Sequence, residues 1–146
     1  MSDTSIVGGG CLCGATRYRV EGPQLRGTIC HCNHCKRWSG APFLSWSLFN
    51  KNQFQWVKGT PGTTSVTPAV NLYFCPDCGS PLTFEFTDSS EIIGATTGTL
   101  DDPERFPPTR HNWTSRELSW IHDLDSMPRN SGDAGDEKLS VKSSRK

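Results

Sequence analysis

The chain has 146 residues, the size of one domain rather than two. Hydrophobic residues make up 34% and mean hydropathy is -0.52, so no apolar stretch reaches the ~18 to 20 residues that span a bilayer. Lys plus Arg equals Asp plus Glu at 15 each, which removes the broad positive field on which non-specific nucleic-acid or acidic-membrane binding depends.

In chain order, Met1 to Gly10 has no basic region and no apolar run of signal-peptide length, so a cytoplasmic, reducing setting is expected. Thr16 to Val20 then places Thr16, Tyr18 and Val20 on one face and Arg17 and Arg19 on the other. Residues 32–39 suit a short helical turn. Leu44, Trp46 and Leu48 alternate with Ser45 and Ser47, and Leu82, Phe84 and Phe86 with Thr83 and Glu85, each reading as a half-buried strand. Val70 to Phe74 is a further strand candidate, as is Glu91 to Thr97 with a break at Gly94. With 14 Gly and 10 Pro punctuating short β-rich segments, the chain reads as all-β with little helix. From Ser131 the composition turns polar, with only Leu139 and Val141 apolar, too little to offset the entropy of ordering. The expected organisation is a globular unit over 5–130 and a disordered tail over 131–146.

Seven cysteines carry the chemistry. An odd number cannot be fully paired within one chain, and a reducing setting points to metal instead. They fall in three groups: Cys11 and Cys13 as C-x-C, then Cys30, Cys32 and Cys35 within CHCNHC, then Cys75 and Cys78 as CPDC before Gly79. Cysteines one or two residues apart in a turn present their sulfurs to one ion at ~2.3 Å. Spacing allows two partitions. Cys32 and Cys35 with Cys75 and Cys78 would make a ribbon-like structural site, leaving Cys11, Cys13 and Cys30 over. Alternatively, Cys11, Cys13, Cys75 and Cys78 form a closed site, and Cys30, Cys32 and Cys35 form a three-thiolate site with one open position. His31, His34 or the more distant His111 would close that position if it became a fourth ligand; for His111 a structural role in a Pro-rich loop is the better reading.

The order GGCLCGATRY, CHCNHCKRWSGAPF, FCPDCGSPLTF, GTLDDPE and HNWTSRELSW resembles the glutathione-dependent formaldehyde-activating enzyme family, whose domain also occurs in centromere protein V. The resemblance covers about residues 8–128. It implies a small zinc-stabilised β-tent fold of short antiparallel sheets. It also implies two zinc ions per chain: a structural zinc on Cys11, Cys13, Cys75 and Cys78, and a catalytic zinc on Cys30, Cys32 and Cys35, which favours the second partition. The family's activity is reversible carbon–sulfur bond formation between glutathione and formaldehyde, giving S-hydroxymethylglutathione.

The residues suit that chemistry. A zinc held by three thiolates is a weak Lewis acid but a good seat for another sulfur, and a coordinating thiol is deprotonated outright. A free thiol of pKa ~8.5 is mostly protonated at pH 7, a handicap of ~2 kcal/mol that coordination removes. Arg37, Lys36 and Ser39 are the candidates for binding substrate, as donors to a developing alkoxide or as cationic partners of the thiol's carboxylates. Trp38, Trp46 and Trp113 read as core before pocket wall. Asp101, Asp102 and Glu104 read as turn punctuation. Two other functions use the same cysteines: a thiol-binding carrier that accelerates nothing, and a zinc-ribbon interaction module. The latter lacks a basic face beyond Lys36 and Arg37. No G-x-S-x-G elbow, H-E-x-x-H pair or phosphate-cradling glycine loop is present.

Overall fold

Alternating apolar and polar residues are converted into two sheets that close over a shared core. The computed structural model describes residues 5–88 and 90–132; the expected tail lies outside them from residue 133 onward. Among the described residues, ten strands and one α-helix succeed one another: β1 (Ile6–Gly10), β2 (Arg17–Glu21), β3 (Arg26–Cys30), α1 (Asn33–Ser39), β4 (Leu44–Asn50), β5 (Phe54–Lys58), β6 (Gly62–Thr67), β7 (Val70–Phe74), β8 (Pro81–Phe86), β9 (Ile92–Thr96) and β10 (Arg110–Asn112). Short 3-10 turns fill several connections, the longest at Ser119–Ser126. The protein is therefore all-β with little helix, as expected. No helix among the described residues is long and apolar enough to cross a membrane.

The smaller sheet has the order β1-β2-β5 and the larger β10-β3-β4-β9-β8-β7-β6. Every pairing is antiparallel except β10 on β3, which is parallel and sets Arg110 opposite Thr28, His111 opposite Ile29 and Asn112 opposite Cys30. An antiparallel-only expectation thus misses one edge of the large sheet. Parallel pairing needs a long return, here the whole chain between residues 30 and 110.

Val7, Tyr18 and Val20 of the small sheet pack with Phe49, Leu82, Ile93 and Ala95 of the large one, and Leu100 and Phe106 close the core. Tyr18 is fully buried, stacks on Phe54 with ring centroids 5.0 Å apart, and bonds through its hydroxyl to Thr99 Oγ1 at 2.8 Å. A buried phenol needs such a partner. A second cluster lies around Trp46, Leu48 and Cys30, with Trp38, Leu44, Phe84 and Ile92 packed against it.

β4 departs from the half-buried reading. Trp46, Ser47, Leu48 and Phe49 are all buried, because both faces of this central strand are covered. The Ser47 hydroxyl is satisfied by Thr97 Oγ1 at 2.9 Å. Nor does Gly94 break β9. It faces Phe84 across the β8–β9 pair, and a β-carbon there would lie 2.2 Å from the Phe84 ring. The glycine makes room for the aromatic ring.

Candidate metal centres

The turn after β1 and the turn joining β7 to β8 meet. Their sulfurs, Cys11, Cys13, Cys75 and Cys78, all lie within 4.8 Å of one another, with Cys11 to Cys13 at 3.5 Å and Cys13 to Cys75 at 3.7 Å. A tetrahedral ion with Zn–S of ~2.3 Å sets its sulfurs about 3.8 Å apart, so the spacing fits. The second turn is shaped by Gly79 at φ 78°, the left-handed conformation glycine tolerates. Its N–H bonds to the Cys75 carbonyl at 2.8 Å.

Polar groups are aimed at these sulfurs. The Thr16 N–H donates to Cys11 Sγ at 3.2 Å, and Ser80 Oγ lies 3.1 Å from Cys78 Sγ while accepting from the Leu12 N–H at 3.0 Å. Burial opposes ionisation of Cys78, but its bonds to Ser80 lower the thiol to about 6. Cys13 moves the other way: despite a backbone hydrogen bond from Ala15, burial and the neighbouring Cys11 sulfur push it up to about 12. Without a cation these neighbours cannot all ionise. A dication removes that conflict.

Cys30, Cys32 and Cys35 form a separate group within the same 4.8 Å limit. Cys30 ends β3, and Cys32 takes the N-cap position of α1, its sulfur accepting from the Cys35 N–H at 3.3 Å in the role a Ser or Asp oxygen normally plays. The helix ends at Gly40, whose N–H bonds to the Lys36 carbonyl at 2.7 Å. Trp46 Nε1 donates to Cys35 Sγ at 3.4 Å. The hydrogen bond with Cys35 lowers Cys30 to about 6 against the effect of burial, whereas the Cys35 thiol is driven strongly upward by the same bond and by burial. Three soft donors with N–H groups aimed at two of them fit a thiophilic ion. Cys75 and Cys78 therefore cluster with the N-terminal pair and not with Cys32 and Cys35.

None of the three histidines considered as a fourth ligand joins this group. His34 is exposed. His31 is fully buried and bonds through Nε2 to His111 Nδ1 at 2.9 Å, with Glu117 Oε1 at 3.8 Å from Nε2. Burial lowers His31 below the ordinary imidazole range, only partly opposed by Glu117. Sequence reasoning assigned Glu117 no role although it lies in HNWTSRELSW, because what joins it to His31 is a long-range contact and not a local pattern.

Ser39 Oγ donates to the Cys35 carbonyl at 2.7 Å and accepts from the Ala41 N–H at 3.1 Å, so it ties off the helix end behind the third cysteine. Arg37 is exposed and lines a groove of about 500 Å³ with Asn33, Lys36 and Trp120. Helical periodicity puts Asn33, Lys36 and Arg37 on one face and Cys35 on the other. Lys36 Nζ also donates to the Arg116 carbonyl at 2.6 Å. Trp46 is core, Trp38 stacks on it with centroids 6.1 Å apart, and Trp113 is 65% exposed. Asp101 proves to be more than turn punctuation: it forms a two-pronged ion pair with Arg17, one arm at 2.9 Å.

The sequence profile of the glutathione-dependent formaldehyde-activating enzymes matches residues 6–116. The chain belongs to that family. An uncharacterized lyase of Schizosaccharomyces pombe is 32% identical over 82 residues, 55% of this chain and 58% of that protein. The match thus spans little more than half of the yeast protein's length. The crystal structure of a Rhodobacter sphaeroides protein superposes with a TM-score of 0.58 at 21% identity, covering 72% of this chain and 99% of that one, a likeness of fold. The formaldehyde-activating family profile ends at Arg116, so Glu117, Trp120 and the 3-10 segment lie beyond it.

Proposed function

We propose that this protein is a cytoplasmic, zinc-dependent carbon–sulfur lyase that joins a small thiol, glutathione foremost, to formaldehyde or a related small aldehyde and cleaves the adduct. The observation that carries this reading is the division of seven sulfurs into a set of four and a set of three. Cys11, Cys13, Cys75 and Cys78 would hold a structural zinc, saturated by its own chain. Cys30, Cys32 and Cys35 would hold a second, catalytic zinc. When bound there, zinc supplies an open, sulfur-tolerant position that favours the thiolate form of an incoming thiol.

The chain's own residues do the rest. Cys32 anchors the start of α1, Trp46 fixes the direction of the Cys35 sulfur, and Ser39 secures the turn behind it. These contacts pre-set the three donors, so little ordering remains when substrate arrives. Lys36 and Arg37 line the groove on the helix face away from Cys35, so they would meet the distal carboxylates of a thiol peptide rather than its sulfur end. A non-catalytic thiol carrier is the second reading, since it needs the same donors.

The test is NMR exchange spectroscopy on formaldehyde and glutathione at equilibrium. Exchange between free formaldehyde and its adduct that accelerates in proportion to protein concentration, and returns to the background rate in Cys35→Ser, is the expected result. Binding without acceleration identifies the carrier.

A further inference from the structure

We propose that His31, His111 and Glu117 form a third divalent-cation site, distinct in donor chemistry from both cysteine groups. His31 Nε2, His111 Nδ1 and a Glu117 carboxylate oxygen lie within 4.8 Å of one another. Zinc bound by nitrogen and oxygen at ~2.0 to 2.1 Å sets neighbouring donors about 3.3 Å apart. The observed separations of 2.9 Å between the imidazoles and 3.8 Å from His31 to Glu117 straddle that value. Bringing these two separations to that value takes shifts of up to about half an ångström, and an ion would replace the proton shared between the two imidazoles.

The placement is a product of the fold. The His31 N–H bonds to the Asn112 carbonyl at 3.0 Å, continuing the parallel β10–β3 pairing by one residue. In that pairing His111 lies opposite Ile29. Alternation along β3 puts Ile29 and His31 on the face opposite Cys30, so His31 and His111 share a side of the sheet that the three-cysteine group does not use. Glu117 reaches them from the turn after residues 114–116, and its second oxygen lies 3.2 Å from His122 Nε2.

The site runs from the interior to the surface: His31 has no exposed surface, the Glu117 side chain is 15% exposed, and His111 is exposed and gives an ion its way in. His31 and His111 also open onto a cavity of about 230 Å³ that His122 and Asp125 share and whose apolar walls include Ile29, Phe43 and Ile121. Ligating histidines usually donate their second ring nitrogen to an acceptor. His31 Nδ1 is buried without such a partner, and the ring is held instead by burial and by the His111 ring, 5.1 Å away with 19° between planes. A site lacking that outer hydrogen bond should exchange its ion faster than the thiolate groups do. Two His and one carboxylate form a borderline set, suited to Zn²⁺ and its first-row neighbours and poorly suited to Mg²⁺.

The experiment is a cobalt titration of full-length protein purified with its tightly held metal under reducing conditions. The expected result is a cobalt-binding step that adds visible d–d absorption with no thiolate-to-cobalt charge-transfer band. That step should weaken at least about tenfold in His111→Ala and in Glu117→Gln, with cysteine-bound metal and circular dichroism unchanged. Glu117→Gln keeps the side chain's size and disturbs no strand, so it decides the matter should His111→Ala fail to fold. Absence of the step in the wild type overturns the proposal, as does its persistence at full strength in Glu117→Gln. Failure here leaves the cysteine-bound metal content and the formaldehyde exchange assay untouched, so it is separable from failure of the lyase reading.

Discussion

The indole N–H of Trp46 donates to the sulfur of Cys35 across 3.4 Å, joining a core residue of β4 to the third cysteine of the α1 knuckle. Trp46 is 4% exposed and packs edge-on against Phe84 at 4.7 Å, so its ring cannot turn away. A hydrogen bond to a ligating sulfur stabilises its thiolate and fixes its direction. Trp46→Phe keeps an aromatic ring and deletes the N–H. We expect zinc affinity at the Cys30, Cys32 and Cys35 group to fall by about 10- to 100-fold. Competition with a chromophoric chelator measures it, and an unchanged affinity would show that the contact is packing alone.

The two cysteine groups should fail differently. Structural zinc contributes an apparent ~10 to 16 kcal/mol at pH 7, against a whole-domain stability of ~5 to 15 kcal/mol. Cys75→Ser or Cys78→Ser is therefore expected to give insoluble protein. Cys35→Ser should give soluble, folded protein without activity, because its group spans a single knuckle beside an existing core. Solubility, circular dichroism and zinc content of the three variants check this, and equal behaviour would refute the division of labour.

Tyr18 should set the alkaline edge of stability. Burial raises its pKa well above the ordinary phenol value, with only partial relief from Thr99. Because the folded pKa is the higher one, the contribution is complete below the unfolded value of ~10 and is lost as pH rises from there toward the folded value. Thermal melts should hold steady up to about pH 10 and then fall, with Tyr18 ionising only as the protein unfolds. Tyr18→Phe should cost about 0.5 to 1.5 kcal/mol at neutral pH for the lost hydrogen bond and make the alkaline decline shallower. Tyr73 is also raised, by burial and its bond to Glu85, so the decline should not vanish.

Trp113 is the sole non-glycine residue with positive φ among those described, at φ 60° and ψ 43°. A left-handed conformation costs a β-carbon-bearing residue roughly 1 to 2 kcal/mol, and this indole recovers little by burial. Trp113→Gly should raise stability by up to about 1 kcal/mol, measured by urea denaturation. A loss of activity in this more stable variant would assign the exposed ring to substrate contact.

How much of this was legible beforehand depended on whether an element's pattern is local. Val70 to Phe74 and the short helix after Cys32 are visible because apolar alternation and a knuckle are local signals. β1 is not, since Ile-Val followed by three glycines has no period to read. β10 is shorter still, three exposed polar residues whose strand character comes entirely from β3. The cysteine groups were visible as pairs and a triplet, while the choice between partitions needed the β1 and β7–β8 turns to meet in space. Glu117 lies in the family-like stretch HNWTSRELSW, but nothing local pairs it with His31.

The four-cysteine group also has a consequence for the order in which the chain emerges from the ribosome. Cys13 and Cys75 are 62 residues apart, so at ~5 to 20 residues per second the first pair waits roughly 3 to 12 s for its partners. The triplet ending at Cys35 is complete well before then. During that interval the nascent chain carries five thiols and no finished four-sulfur cage, which makes the zinc and thiol supply of the cell a determinant of whether these sheets are joined correctly.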